Sequence, residues 1–279
     1  MSKTTRWADV NQPETTIAAN IGSLCTPSTS IQQNPIDDFY QHVQDLIKRS
    51  SSSAVQGDMV FARLLLLDLV STSELYFRRV FAGLVNLCPL CRRNAADQLL
   101  ALGAVEYYGD DDLGYALLEN TSFVNTKEIK KRTESILGLK IKDNTSVAAA
   151  LGDFSAVCHL RHAAVHSRGE IAFKNANEIG VETSERLCLC LTPLLFQRPV
   201  TICQNAVRAY NRFVYREVVE RWIGEGILDG AWAEDKALFR PLHSFFASKT
   251  DGSAPANPYL AYRALRPSVL SANAAKKDK

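Results

Sequence analysis

Asp58–Cys88 reads DMVFARLLLLDLVSTSELYFRRVFAGLVNLC, with Pro89 directly behind it, and this stretch decides the fold. Apolar residues recur at helical spacing and cover a wide face, so the segment predicts a long helix at the centre of a helical protein. Asp58 begins it and Pro89 stops it, because proline has no N–H to continue the ladder. Glu74 and Arg78 stand four residues apart, a spacing that lets them pair on one helix face.

Toward the N-terminus, Ser50 to Gly57 is a polar break. Before it, Pro35 opens IDDFYQHVQDLIKR, in which Ile36, Phe39, Tyr40, Val43, Leu46 and Ile47 keep the helical period. The Asp37–Asp38 pair suits the first turn, where negative charge meets the helix dipole. Residues 1 to about 34 are rich in Ser, Thr, Asn, Gln and Pro and predict an arm with little structure of its own, with Trp7 as an anchor within it.

Toward the C-terminus, residues 90–125 predict shorter helices and loops, with Asp110–Asp112 as a solvated helix start. Residues 126–142, TKEIKKRTESILGLKIK, predict a basic helical piece carrying Lys127, Lys130, Lys131, Arg132, Lys140 and Lys142. It reads either as a solvated face or as a set of phosphate contacts. Asn144 and Thr145 can cap the helix VAAALGDFSAVCHLRHAAVH, and Gly169 is placed to end it. GEIAFKNANEIGVE holds a short extended or hairpin-like piece. Thr201 to Gly224 is a further amphipathic helix, after which residues 225–279 lose this regularity. The expected protein is all-α. It has an arm over residues 1–35, a helical domain over 36–224 and an irregular C-terminal extension over 225–279.

Bulk composition narrows the function little. The chain of 279 residues is 46% hydrophobic and 22% charged, an ordinary globular mix, and its formal net charge of +2 argues against broad coating by a polyanion. The seven cysteines, at 25, 88, 91, 158, 188, 190 and 203, are odd in number, and the opening residues carry no secretory pattern. Reduced thiols in a cytoplasm are the expectation. No run approaches the ~20 apolar residues that span a bilayer.

The chemistry concentrates in Cys158–Gly169, CHLRHAAVHSRG, which holds three of the five histidines. At about 100° per residue, Ser155, His159, His162 and His166 form one stripe. A second stripe, with Phe154, Val157, Leu160 and Ala164, faces the core. Four chemistries suggest themselves. Zinc could use the helical His spacing, but Arg161 at the centre repels a cation and no acid lies within the stretch. Cys88–Cys91 with Cys188 and Cys190 makes one CxxC and one CxC, a weak zinc signal. Ser155 as a nucleophile would sit within a helix rather than on a strained turn. Phosphodiester cleavage without a metal needs a base, an acid and positive charge. Histidine supplies the first two and arginine the third. A hydrated helix face carrying no chemistry remains as open as catalysis on spacing alone.

RHAAVH, Arg161 through His166, resembles the R-x4-H signature of HEPN domains, in particular the group found in prokaryotic defence and toxin systems. The long helix with SELYFRRV before it and the amphipathic helix after it agree, so the resemblance covers roughly residues 36–224. It implies an all-α bundle that pairs as a homodimer with a composite active site. The implied activity is a metal-independent endoribonuclease leaving 2′,3′-cyclic phosphate and 5′-hydroxyl ends, with no cofactor. Under the resemblance Arg161 and His166 are catalytic, and His162 takes the polar position after the arginine. Glu74 matches an acidic position on the earlier helix. Lys127, Lys130, Lys131, Arg132 and Arg168 are candidate RNA contacts, and an antitoxin or other defence-system protein is a candidate partner. His159 matches no motif position. Two copies of His166 could divide the acid and base roles, or His162 could serve within one chain. The helix C-terminus favours protonated His166 and Arg161 opposes it. Two other outcomes stay open: a noncatalytic HEPN-like RNA- or protein-binding module, and a metal-dependent hydrolase.

Overall fold

The computed structural model describes residues 21–27, 34–51, 58–255 and 257–277. The expected N-terminal arm, Trp7 included, lies mostly outside the described residues; within it Ile21–Leu24 form a 3-10 turn. The described residues from 34 onward form one compact unit.

Helix α1 spans Pro35–Ser50. Asn34 caps it by accepting the Asp37 N–H at 2.8 Å, and Pro35 sits in the first turn, where its missing N–H costs nothing. Asp37 and Asp38 do more than meet the dipole. Asp38 pairs with Arg79 at 2.9 Å, and Asp37 is buried under residues 248–250. Helix α2, Met59–Leu87, begins where Asp58 caps the Val60 and Phe61 N–H groups and ends before Pro89. Leu66, Leu69, Val70, Phe77, Val80, Phe81 and Leu84 are fully buried along it, which makes it the central helix.

Helix α3 is Pro89–Ala95, α4 Leu102–Tyr108 and α5 Leu113–Leu118, with an exposed 3-10 turn over Asp110–Asp112 before α5. Gly114 lets α5 approach α2 closely: a Cβ there would lie 2.5 Å from the Ala82 backbone. Helix α6 covers only Thr126–Ser135, shorter than the sequence suggests. Gly138 turns the chain at φ 67°, and Leu137, Leu139 and Ile141 then enter the core while Lys140 and Lys142 face solvent. That alternation is the signature of extended chain.

Helix α7, Ser146–His166, is followed by strand β1 (Glu170–Ile171), helix α8 (Phe173–Glu178) and strand β2 (Leu187–Cys188). The strands pair antiparallel with Glu170 opposite Cys188, so the hairpin-like segment is a wide one with a helix inside it. Helix α9 is Pro193–Glu225, eight residues longer at its start than periodicity indicates, with Pro199 buried inside it. Helices α2, α7 and α9 pack on one another and α1 packs on α2 and α9. Phe77 of α2 joins them, its ring 5.6 Å from Phe154 of α7 and 5.2 Å from Tyr210 of α9.

The expectation of an irregular C-terminal extension is corrected. Residues 232–246 form α10 (Trp232–Phe246) and 258–277 form α11 (Pro258–Lys277). Phe239, Leu242, Phe246, Tyr262 and Val269 belong to the same hydrophobic core as α2. Buried Asp235 ties the two helices together. It accepts the Asp229 and Gly230 N–H groups at 2.8 and 2.9 Å, and the Tyr262 hydroxyl. The chain is an all-α protein with eleven α-helices among the described residues. No described helix is long and apolar enough to cross a membrane.

Candidate functional site

Thr145 opens α7 by accepting the Ala148 N–H, and Val147, Leu151, Phe154, Val157 and Cys158 bury one side of it. The stripe beside it over the last three turns carries Ser155, His159, His162 and His166. The helix ends through two backbone bonds to the Ala163 carbonyl, from Ser167 at 3.1 Å and Gly169 at 2.9 Å. Arg168, not Gly169 alone, makes the turn. Its φ of 52° is left-handed, and Gly169 follows at 99°. A non-glycine residue there costs on the order of 1–2 kcal/mol. The cost is offset in part by Arg63 of α2, whose guanidinium donates to the Arg168 carbonyl.

An open cleft of about 610 Å³ lies against this face. Helix α7 contributes Ser155, His159, Arg161 and His162, the start of α6 contributes Asn125, Thr126 and Lys127, and α8 contributes Lys174, Asn175 and Glu178. Its charges are predominantly positive: Lys127, Arg161 and Lys174 against Glu178. The Arg161 Nε is buried and has no hydrogen-bond partner. A buried donor left unmade costs roughly 1–3 kcal/mol.

The His162 and His166 rings lie 4.4 Å apart between centroids, tilted by 44°. Both are exposed. His166 is not part of the cleft lining; it stands at the helix end beside it. Partial desolvation lowers the His162 pKa, and the charges of His166, Arg161, His159 and Lys174 lower it further. His162 is therefore biased toward the neutral form that accepts a proton.

His159, which matches no motif position, is in the cleft. Its Nδ1 lies 3.2 Å from Oδ1 of buried Asn175. An Nδ1–H donating to that oxygen leaves Nε2 as an acceptor. Lys174 and Asn175 went unnoticed in the sequence because α8 is six residues long, too short for a period to register.

The remaining expected site residues separate. Lys127 lines the cleft, whereas Lys130 pairs with Asp143 at 2.8 Å and Arg132 with Glu128 at 2.6 Å. Lys131 is exposed on α6, and Arg168 is exposed at the α7 terminus. Glu74 and Arg78 do not bridge to each other. Glu74 accepts the Phe123 N–H at 2.8 Å, and Arg78 donates to the Leu118 and Thr121 carbonyls at 2.5 Å each. The pair staples residues 118–123 to α2, which gives Glu74 a structural task. Burial pushes the Cys158 thiol up, Cys203 and the Glu74 charge add to this, and Arg161 opposes it. Cys158 is thus held in its protonated form.

Among the described residues no group of three or more His, Cys, Asp or Glu side chains gathers as a metal-holding cluster. Cys88 and Cys91 are buried, and Cys188 and Cys190 are exposed. Cys88 caps α3 and accepts from the Trp222 indole at 3.3 Å and the Cys91 N–H at 3.4 Å. The Cys91 thiol, with these donors, pulls Cys88 down to about 6 against the effect of burial. No protein-family model, curated protein or solved structure matches the chain.

Proposed function

We propose that the chain is an endoribonuclease of HEPN-like type that cleaves RNA through its own 2′-hydroxyl, without a catalytic metal. The observation that carries this reading is the buried, unpartnered Nε of Arg161 in a basic cleft beside two imidazoles in contact. A base takes the 2′-hydroxyl proton, and the 2′-oxygen attacks phosphorus. The bond from phosphorus to the 5′-oxygen breaks, and an acid protonates that oxygen. The products are a 2′,3′-cyclic phosphate and a 5′-hydroxyl. Arg161 binds the phosphoryl oxygens as negative charge builds on them. His162, biased to neutrality, suits the base role. His166, exposed in the last turn of α7 beside His162, takes the acid role in this reading. In this reading the chain is a homodimer with a composite site, and the exposure of His166 outside the cleft is compatible with a second copy meeting it there. The biological setting in this reading is a cytoplasmic bacterial defence or toxin–antitoxin system, in which a partner protein restrains the enzyme.

The test is incubation of the purified protein with tRNA and mRNA in EDTA, with analysis of product ends. Cleavage to cyclic phosphate ends, lost on Arg161→Ala and on His166→Ala, is expected. Cleavage indifferent to both substitutions sinks the assignment. RNA binding that survives both, with no cleavage under any condition, selects a noncatalytic binding module instead.

A further inference from the structure

A second cavity, of about 370 Å³, lies among α1, α9, α10, α11 and the segment 247–255. That volume falls within the range of about 300–1,000 Å³ typical of small-molecule sites. One stripe of α9 faces it: Arg208, Asn211, Arg212 and Tyr215, spaced three, one and three apart. Opposing elements contribute His243 and Phe246.

The walls are braced before any ligand arrives. Asn211 accepts the Tyr76 hydroxyl at 3.0 Å and donates to the Phe246 carbonyl at 2.9 Å. Ser248 donates to Asp37 at 2.6 Å. Such fixed walls reduce the ordering cost of binding. Aromatic surface is concentrated here, with the Tyr215 ring 5.7 Å from Phe246 and 6.3 Å from His243. His243 is buried, and burial lowers its pKa, so it is a neutral imidazole with one donor and one acceptor. Its ring makes no hydrogen bond among the described residues.

Charge sets the other half of the site. Arg208 uses Nε on the Tyr40 hydroxyl at 2.7 Å, which leaves its terminal nitrogens. The Arg212 guanidinium makes no hydrogen bond or ion pair among the described residues. The one carboxylate in the lining, Asp251, is already engaged by Tyr40 at 3.2 Å and by the Ser253 N–H and hydroxyl at 3.0 and 2.7 Å. Two guanidiniums one helical turn apart therefore outweigh one occupied carboxylate, and such a pair suits phosphate. We propose that this cavity, separate from the histidine cleft, binds a small aromatic phosphate of the nucleoside monophosphate class, its ring against Tyr215 and Phe246 and its phosphate on Arg208 and Arg212.

Calorimetric titration of the full chain with AMP, UMP, adenosine and inorganic phosphate tests this. At least one of the two nucleotides is expected to bind. Adenosine or phosphate alone should bind at least about tenfold more weakly, since each reports half of the recognition. Arg212→Glu, at an exposed position, should weaken the nucleotide by about tenfold or more, with an unchanged circular dichroism spectrum. Arg208→Ala serves as a second variant, and Arg161→Ala should leave the affinity as it is. The proposal is overturned if neither nucleotide binds at millimolar concentration, or if Arg212→Glu and Arg208→Ala both leave binding intact. Loss of binding on Arg161→Ala also overturns it, because that places the nucleotide in the histidine cleft.

Discussion

Asp37 and Arg161 are two charged side chains drawn into the protein, and they are treated in opposite ways. Asp37 is 8% exposed, and both of its oxygens are occupied. Ser248 donates to it at 2.6 Å, the Lys249 and Thr250 N–H groups at 3.0 and 3.1 Å, and the Asn34 amide at 3.0 Å. Burial raises its pKa, but these donors outweigh burial and hold the carboxyl below its ordinary value. Arg161 has a buried Nε with no partner at all. A satisfied buried charge is a means of closing a fold, here α1 onto the segment after α10. An unsatisfied one is a standing cost, which the phosphate of the proposed reaction would offset.

The sharpest way to break this comparison is Arg161→Ala. RNA cleavage should fall by about 10²–10³-fold, the usual loss for a donor acting on developing oxyanion charge. The urea unfolding midpoint should hold or rise, because no bond made in the folded protein is lost. A marked fall in the midpoint would show Arg161 to be a structural residue.

Asp37→Ala should do the reverse. Loss of hydrogen bonds to a buried charge predicts destabilisation of roughly 3 kcal/mol in urea denaturation, with cleavage per folded molecule unchanged. The pH dependence follows from the depressed pKa. The unfolded carboxyl binds its proton first, so the Asp37 contribution is complete above the ordinary carboxylate pKa and disappears as pH falls through the lower folded value. The acid limb of the stability curve should be shallower in Asp37→Ala than in the parent.

The smallest expected effects separate the lysines. Lys127→Ala and Lys174→Ala, in the cleft, should each weaken RNA binding a few-fold and reduce the salt dependence by about one phosphate contact. Lys130→Ala and Arg132→Ala remove cations already paired with Asp143 and Glu128, and binding curves should overlay those of the parent.

Much of the helical core is legible in the sequence because local rules and tertiary packing agree there. Asp58 and Pro89 bound α2, Thr145 caps α7, and Pro35 opens α1. Legibility fails where prolines lie inside helices. Pro199 lies in the part of α9 that periodicity misses, and Pro241 and Pro267 lie in α10 and α11, where the sequence reads as irregular; packing carries the helix through all three. The site divides in the same way. The histidine stripe follows from angular spacing alone. The unpartnered Nε of Arg161, the Asn175 partner of His159 and the engagement of Glu74 by the Phe123 N–H depend on contacts distant in sequence, which no periodicity encodes.

The latch at the end of α7 bears on how this protein could diversify. The Arg63 bond to Arg168 and the Leu189 N–H on the Gly169 carbonyl, at 2.7 Å, anchor the chain on both sides of residues 172–186. Lengthening such an anchored loop is cheap, about 0.6 kcal/mol for each doubling. Residues inserted after α8 would therefore reshape the approach to the cleft while the imidazoles of α7 kept their places, so under the proposed function target preference could drift independently of the reacting groups.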